Sequence, residues 1–330
     1  MSRDHFAGGR KWTGRPNAII DSRSSRRPGG RLCMRNSLSM WLNHLTSCAF
    51  LKACRLKRGN LTCCSQPSGS SPEYQVPLRN LMMLSIFMLT LYASVMLSRT
   101  TQTNEPGRCA SLLPSLASIP GPLALIEVGA SSGLCLLPDF YGYDWDRQRL
   151  VPPAQAIGIA PVFPCQAGIG VPLPTNFPEI VWRAGLDLNP LDVSKDDDVL
   201  WLENLVWPEH HQRLDRLRSA INIARQNPPR VVAGDLRNDL QALISDAPKD
   251  ATVVVFHTAV LSYVSNQQDR EDFARKMLDA KSIWISNESP KIFPDIAVKA
   301  SPIRDDMFLL SVDGTPQAWC GPHGQSVLWI

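Results

Sequence analysis

The sequence predicts an α/β protein built on a mostly parallel sheet, and three observations carry that expectation. Short apolar runs alternate with helical stretches from residue 123 onward. Each run ends in polar or acidic residues, so one end of each expected strand carries the chemistry. The chain closes on short apolar segments around a turn at Asp313-Gly314, the pattern of an antiparallel hairpin.

Charge divides the chain. Over its 330 residues the formal charge is +4, but residues 1–99 hold 15 Lys+Arg against 3 Asp+Glu. The remainder is acidic. A basic stretch can meet nucleic acid or an anionic membrane, but no specific nucleic-acid motif accompanies this one. Its composition suits a solvated leader. Nine cysteines lack any Cys-x-x-Cys, which argues against a disulfide framework or a metal site. The four in the C-terminal part are expected to be buried thiols in a reducing, cytoplasmic setting.

Taken in order, residues 1–72 read as a basic, largely disordered leader, with a short helix from Trp41 to Leu51 and a Ser/Pro/Gly linker from Ser65 to Pro72. Residues 73–120 read as a helical region. Within it, Leu81 to Leu97 holds no charge and forms a hydrophobic helix. At 1.5 Å per residue it spans about 25 Å, near the lower limit for a bilayer, so membrane contact is weighed and not favoured. Thr103-Asn-Glu-Pro106 looks like a helix start running toward Leu116. Leu123 to Val128 is the first strand of the main domain, 121–330. Gly129 to Gly133 is a glycine turn, and a short apolar helical segment follows it. Such a turn gathers backbone N–H groups and a helix N-terminus, which suits an anion. Pro138 to Pro178 reads as a long loop with a hairpin. Strands are then expected at Ile180–Leu186, Arg230–Ala233, Ala251–Phe256 and Lys281–Ile285, with helices between them.

The strand ends carry Glu127, Asp187, Asp235, His257 and Asn287-Glu288. A nicotinamide dinucleotide would call for Gly-x-Gly-x-x-Gly and an acid about 20 residues on; neither is present. Gly129-Ala-Ser131-Ser-Gly133 matches the Gly-x-Ser-x-Gly elbow of serine hydrolases, with Asp235 or Asp313 and then His323 in hydrolase order. That elbow lacks the earlier strands it normally follows.

Glu127-x-Gly129-x-Ser131-x-Gly133 resembles the first motif of class I S-adenosylmethionine-dependent methyltransferases, with Ser131 in place of the middle glycine. That resemblance implies a Rossmann-like fold and S-adenosylmethionine held by Glu127, Gly129, Ser131 and Gly133. Asp187 would take the ribose hydroxyls and Asp235 would stand by the adenine. Phe256-His-Thr-Ala-Val-Leu-Ser-Tyr263 is similar to the fourth motif, which places His257 as a general base and Tyr263, Asn287 and Glu288 near an unknown small-molecule substrate. A denser likeness covers residues from about 99 to 330: Thr101–Glu105, Leu125–Ser131, Gly185–Asp192, Val255–Tyr263, Trp284–Glu288 and Pro322–Ser326 resemble the family called domain of unknown function 2332. A non-catalytic binding protein of the same fold is the alternative, and a hydrolase using Ser131 a third.

Overall fold

The computed structural model describes residues 54–57, 60–63, 74–153 and 160–330. The chain forms two compact units, Met1–Arg99 and Thr100–Ile330. In the first, strands β1 (Cys54–Lys57), β2 (Asn60–Cys63) and β3 (Tyr74–Pro77) make an antiparallel sheet, followed by helix α1 (Leu78–Ser98). Two of these strands fall where the sequence suggested only leader. Cys54 and Leu56 alternate with Arg55 and Lys57, but four residues give too few repeats to stand out. The helix expected at Trp41–Leu51 and the linker lie outside the described residues. Among the described residues, no helix is long and apolar enough to cross a membrane.

The second unit is organised on a nine-stranded sheet. Its strands are β4 (Leu123–Val128), β8 (Gln166–Ala167), β9 (Ile180–Asp187), β10 (Arg230–Ala233), β11 (Thr252–Thr258), β12 (Ile283–Glu288), β13 (Phe308–Val312), β14 (Thr315–Cys320) and β15 (Ser326–Trp329). Their spatial order is β10-β9-β4-β11-β12-β13-β14-β15-β8. The first five are mutually parallel, and β12 to β15 pair antiparallel. Renumbered by sequence, the parallel strands run 3-2-1-4-5, the doubly wound order, which puts the switch point between β4 and β11.

Both faces of the sheet are covered, so every residue of β4 is buried, as a parallel strand requires. On one face Leu123, Leu125, Val254 and Phe256 pack with helices α2 (Cys109–Ala117) and α4 (His211–Gln226). On the other, Ile126, Val128, Val255 and Trp284 pack with α5 (Leu240–Asp246) and α6 (Gln267–Asp279). The helix α3 (Asp196–Asn204) precedes α4.

Three local expectations are corrected. The helix expected from Thr103 begins at Pro106 with a single 3-10 turn, capped by the Glu105 carboxylate rather than Asn104, and continues through Pro114 to Ala117. The long stretch after Pro138 is core rather than open loop. Tyr141, Tyr143 and Trp145 are fully buried; the Trp145 indole donates to Ala110 O at 3.0 Å and the two tyrosine hydroxyls to Leu134 O and Pro138 O. Short strands β5 (Gly142–Asp144), β6 (Arg149–Leu150) and β7 (Val162–Pro164) carry these rings inward. Finally, no α-helix follows Gly133. The chain makes only the 3-10 turns Leu134–Leu136 and Pro138–Phe140, because Pro138 cannot donate the backbone bond a continuing helix needs.

Candidate functional site

The polar residues singled out in the sequence do gather at the carboxyl ends of the central strands, but in three different environments. The first is the loop after β4. Gly129, Ser131 and Gly133 all have positive φ, 73°, 52° and 75°. A Cβ on Gly129 would stand 2.1 Å from a Val260 methyl, and one on Gly133 2.7 Å from Pro229. These glycines are required by close protein packing. Most of the loop's backbone donors are also committed: Gly129 N and Ala130 N to Leu186 O, Gly133 N to Ala130 O, Ser131 N to Asp187 Oδ2 and Leu134 N to Asn104 Oδ1.

A strap, residues Thr100–Glu105, has no regular structure and is stitched over this loop. Gln102 Nε2 donates to Asp187 Oδ1 at 2.9 Å and to Asn189 O at 2.7 Å; the Ser131 hydroxyl donates to Gln102 O at 3.1 Å. Asn104 Oδ1 also accepts from the Ser132 hydroxyl. Glu105 pairs with Arg213, and His323 Nδ1 lies 3.9 Å from the same carboxylate. Burial, then Arg213, holds His323 below the usual histidine range. Asp187 therefore has both oxygens occupied, Oδ1 also accepting from Asn189 N. Asp235, on the adjacent strand end, is turned to Arg237, whose hydrogen bonds hold its carboxyl below the usual range.

The second environment lies on the α2 face. Register pairs Glu127 with Phe256 and Thr258 with Asn287, so Glu127, Thr258 and Asn287 leave the sheet on one side. Asn287 is wholly buried and Glu127 nearly so. Among the described residues, five buried side-chain atoms lack a hydrogen-bond partner, and three belong here: Glu127 Oε2, Asn287 Oδ1 and Asn287 Nδ2. Each such atom costs about 1–3 kcal/mol. Burial pushes the Glu127 carboxyl well above the usual range, and the nearby Cys135 adds to it. Arg108, also buried, donates from Nη1 to Thr258 O and Oγ1 at 3.1 and 3.2 Å and from Nε to Pro322 O.

The third environment lies on the opposite face. His257 was expected to face a substrate. It is instead wholly buried beneath α6, with ring contacts to Phe273, Trp284 and Phe293. The Trp284 indole donates to His257 Nε2 at 3.0 Å. An indole N–H can only donate, so Nε2 is the acceptor and Nδ1 carries the proton, donated to Glu288 Oε1 at 2.8 Å. That oxygen also accepts from Val260 N and Leu261 N. His257 and Glu288 therefore position the β11 turn and have no path to a substrate. Tyr263 is exposed beyond that turn.

The hydrolase arrangement is absent. Ser131 has the positive φ of a nucleophile elbow, but its hydroxyl is directed to Gln102 O and no described hydrogen bond joins it to a histidine. Sequence reading missed Gln102, Asn104 and Arg108, which hold the site together. Gln102 and Asn104 fell within Thr101–Glu105, a segment noted for the family resemblance but given no site role, and Arg108 carried no signal. No group of His, Cys, Asp and Glu among the described residues could hold a metal ion.

A doubly wound α/β core with acids at its strand ends defines a broad class of ligand-binding proteins. More narrowly, residues 91–329 match the family described as "Uncharacterized protein conserved in bacteria (DUF2332)", and the chain belongs to it. Comparison with curated proteins finds no match, and comparison with solved structures finds none either.

The S-adenosylmethionine implied by the first-motif resemblance can be set against this geometry. Both oxygens of Asp187 already accept hydrogen bonds, most of the loop N–H groups are bonded within the protein, and only a 3-10 turn follows the loop. As arranged, these residues do not fit the cofactor.

Proposed function

We propose that this chain is a Rossmann-like small-molecule-binding protein whose ligand is held on the α2 face by Glu127 and Asn287, with Arg108 beside them. One observation carries this reading: two buried side chains at the carboxyl ends of β4 and β12 leave three polar atoms without partners. Adjacent strands lie about 4.8 Å apart, and only β11 separates these two. A single polar molecule can therefore reach both. Asn287 offers a donor and an acceptor, and Glu127 a carboxyl biased toward its protonated form. The ligand class that follows is a compact molecule bearing amide, amine or hydroxyl groups.

The reading assigns no chemical step, since the residue expected to move a proton, His257, is locked on the far face. The methyltransferase reading ranks second. It is favoured by Glu127, Asp187 and Asp235 standing at the ends of adjacent strands, and it requires the strap to leave Asp187.

The test is a thermal-shift series on the full chain with S-adenosylmethionine, S-adenosylhomocysteine, free amino acids and their amides as probes. The expected result is saturable stabilisation by at least one of them, lost in both Glu127→Gln and Asn287→Leu. Stabilisation by none, or stabilisation retained in both variants, would overturn the proposal.

A further inference from the structure

The strap Thr100–Glu105 lies where a doubly wound protein holds part of its ligand. Asp187 ends β9, the second strand of the order, and an acid at that position accepts hydrogen bonds from a ribose diol in proteins of this architecture. Here Asp187 Oδ1 faces the Gln102 amide instead, 2.9 Å away. Gln102 Nε2 presents two hydrogens, one to Asp187 Oδ1 and one to Asn189 O. Two neighbouring hydroxyls of a cis-diol would present the same pair of donors to the same pair of acceptors.

We propose that Asp187 and Asn189 O form a cis-diol subsite and that Gln102 is its built-in competitor, so that the strap must lift before a ribonucleoside-type ligand can enter. This rests on the proposed function, because it adds a second subsite to the same ligand-binding end of the sheet.

Two features make lifting feasible. The strap pairs with no strand, and Gln102 is only half-buried. Over Thr100 to Thr103 the remaining ties are few and polar: Trp201 Nε1 to Thr100 O and Ser131 Oγ to Gln102 O. Anchoring resumes at Asn104 and Glu105, both buried, through Ser132, Leu134 and Arg213. Between those anchors the chain can swing without disturbing the helix α2 behind it. A second observation points to a ligand here. Glu127 Oε2 is buried and without a partner, and Asp187 lies two residues beyond the register partner of Glu127, on the same face of the neighbouring strand.

The experiment pairs the wild type with Gln102→Ala and Gln102→Glu, the latter setting a like charge against Asp187. Hydrogen exchange over residues 100–105 reports strap opening. Calorimetric titration with adenosine, and with 2′,3′-dideoxyadenosine as the diol-free control, reports binding. Both variants should exchange faster over the strap and bind adenosine about tenfold tighter than the wild type, because a larger fraction is competent to bind. None of the three proteins should bind the control comparably. Faster exchange with unchanged adenosine affinity would overturn the competitor role. Equal binding of control and adenosine, or no adenosine binding in a protein whose strap has opened, would overturn the diol subsite. Loss of this subsite alone leaves the Glu127–Asn287 reading standing, since that is judged by its own variants and probes.

Discussion

The two faces of the central sheet are built from neighbouring residues and end in opposite states. His257 and Thr258 are adjacent in β11, and Asn287 and Glu288 are adjacent in β12, so each pair splits across the sheet. Toward α6, His257, Trp284 and Glu288 form a closed network in which every named polar atom has a partner. Toward α2, Glu127 and Asn287 are as deeply buried and keep unpartnered atoms. A buried ionisable group is therefore weak evidence of function by itself. Whether its hydrogen bonds are complete separates the structural face from the candidate site.

The comparison can be broken most forcefully at His257. His257→Ala removes the centre of a complete buried network and leaves a cavity among three aromatic rings. We expect a loss of about 3–5 kcal/mol, read by chemical denaturation. A loss near zero would mean the network contributes little. Trp284→Phe keeps most of the ring packing and deletes the donor to His257 Nε2. About 1–2 kcal/mol should be lost, and wild-type ligand affinity should survive in the folded fraction.

On the other face the sign reverses. Asn287→Leu replaces an unsatisfied amide with an apolar group of similar size and should stabilise the ligand-free chain by about 1 kcal/mol. Destabilisation there would show that Asn287 has a partner in solution. The smallest effect is in the pH dependence. The Glu127 carboxyl is raised by burial, so the folded state binds a proton that the unfolded state releases. Its contribution is present below the ordinary glutamate range and is lost as pH rises through the folded value. Glu127→Gln should flatten that decline in a stability-against-pH series, and an unchanged slope would remove Glu127 as its source.

Much of the fold was legible in the chain because parallel strands buried on both faces advertise themselves as apolar runs, as Leu123–Val128 and Ala251–Phe256 do. The acids were also found at the correct ends. Facing was not legible. In a run as uniformly apolar as Val253–Phe256, nothing in the sequence states which side the next residue takes, and the structure turns His257 toward α6, away from Glu127. The packing of the glycine loop was not legible for a related reason. Its glycines answer to Val260 and Pro229, distant contacts that spacing cannot reveal. Pro138 did announce that the following helix would fail. The strap's role was not legible because Thr103–Pro106 reads locally as a helix start, while side chains of the strap are directed to residues as far on as Asp187 and Arg213.

The central claim is that ligand is held by the incompletely bonded face and not by the complete one. Equilibrium titration of free amino acids and their amides into wild type, Glu127→Gln and Trp284→Phe, each confirmed folded, tests it most directly. The account expects wild type and Trp284→Phe to bind alike and Glu127→Gln to lose about tenfold or more, the cost of one buried hydrogen bond. Binding that weakens in Trp284→Phe but not in Glu127→Gln, or binding in none of the three, would contradict it.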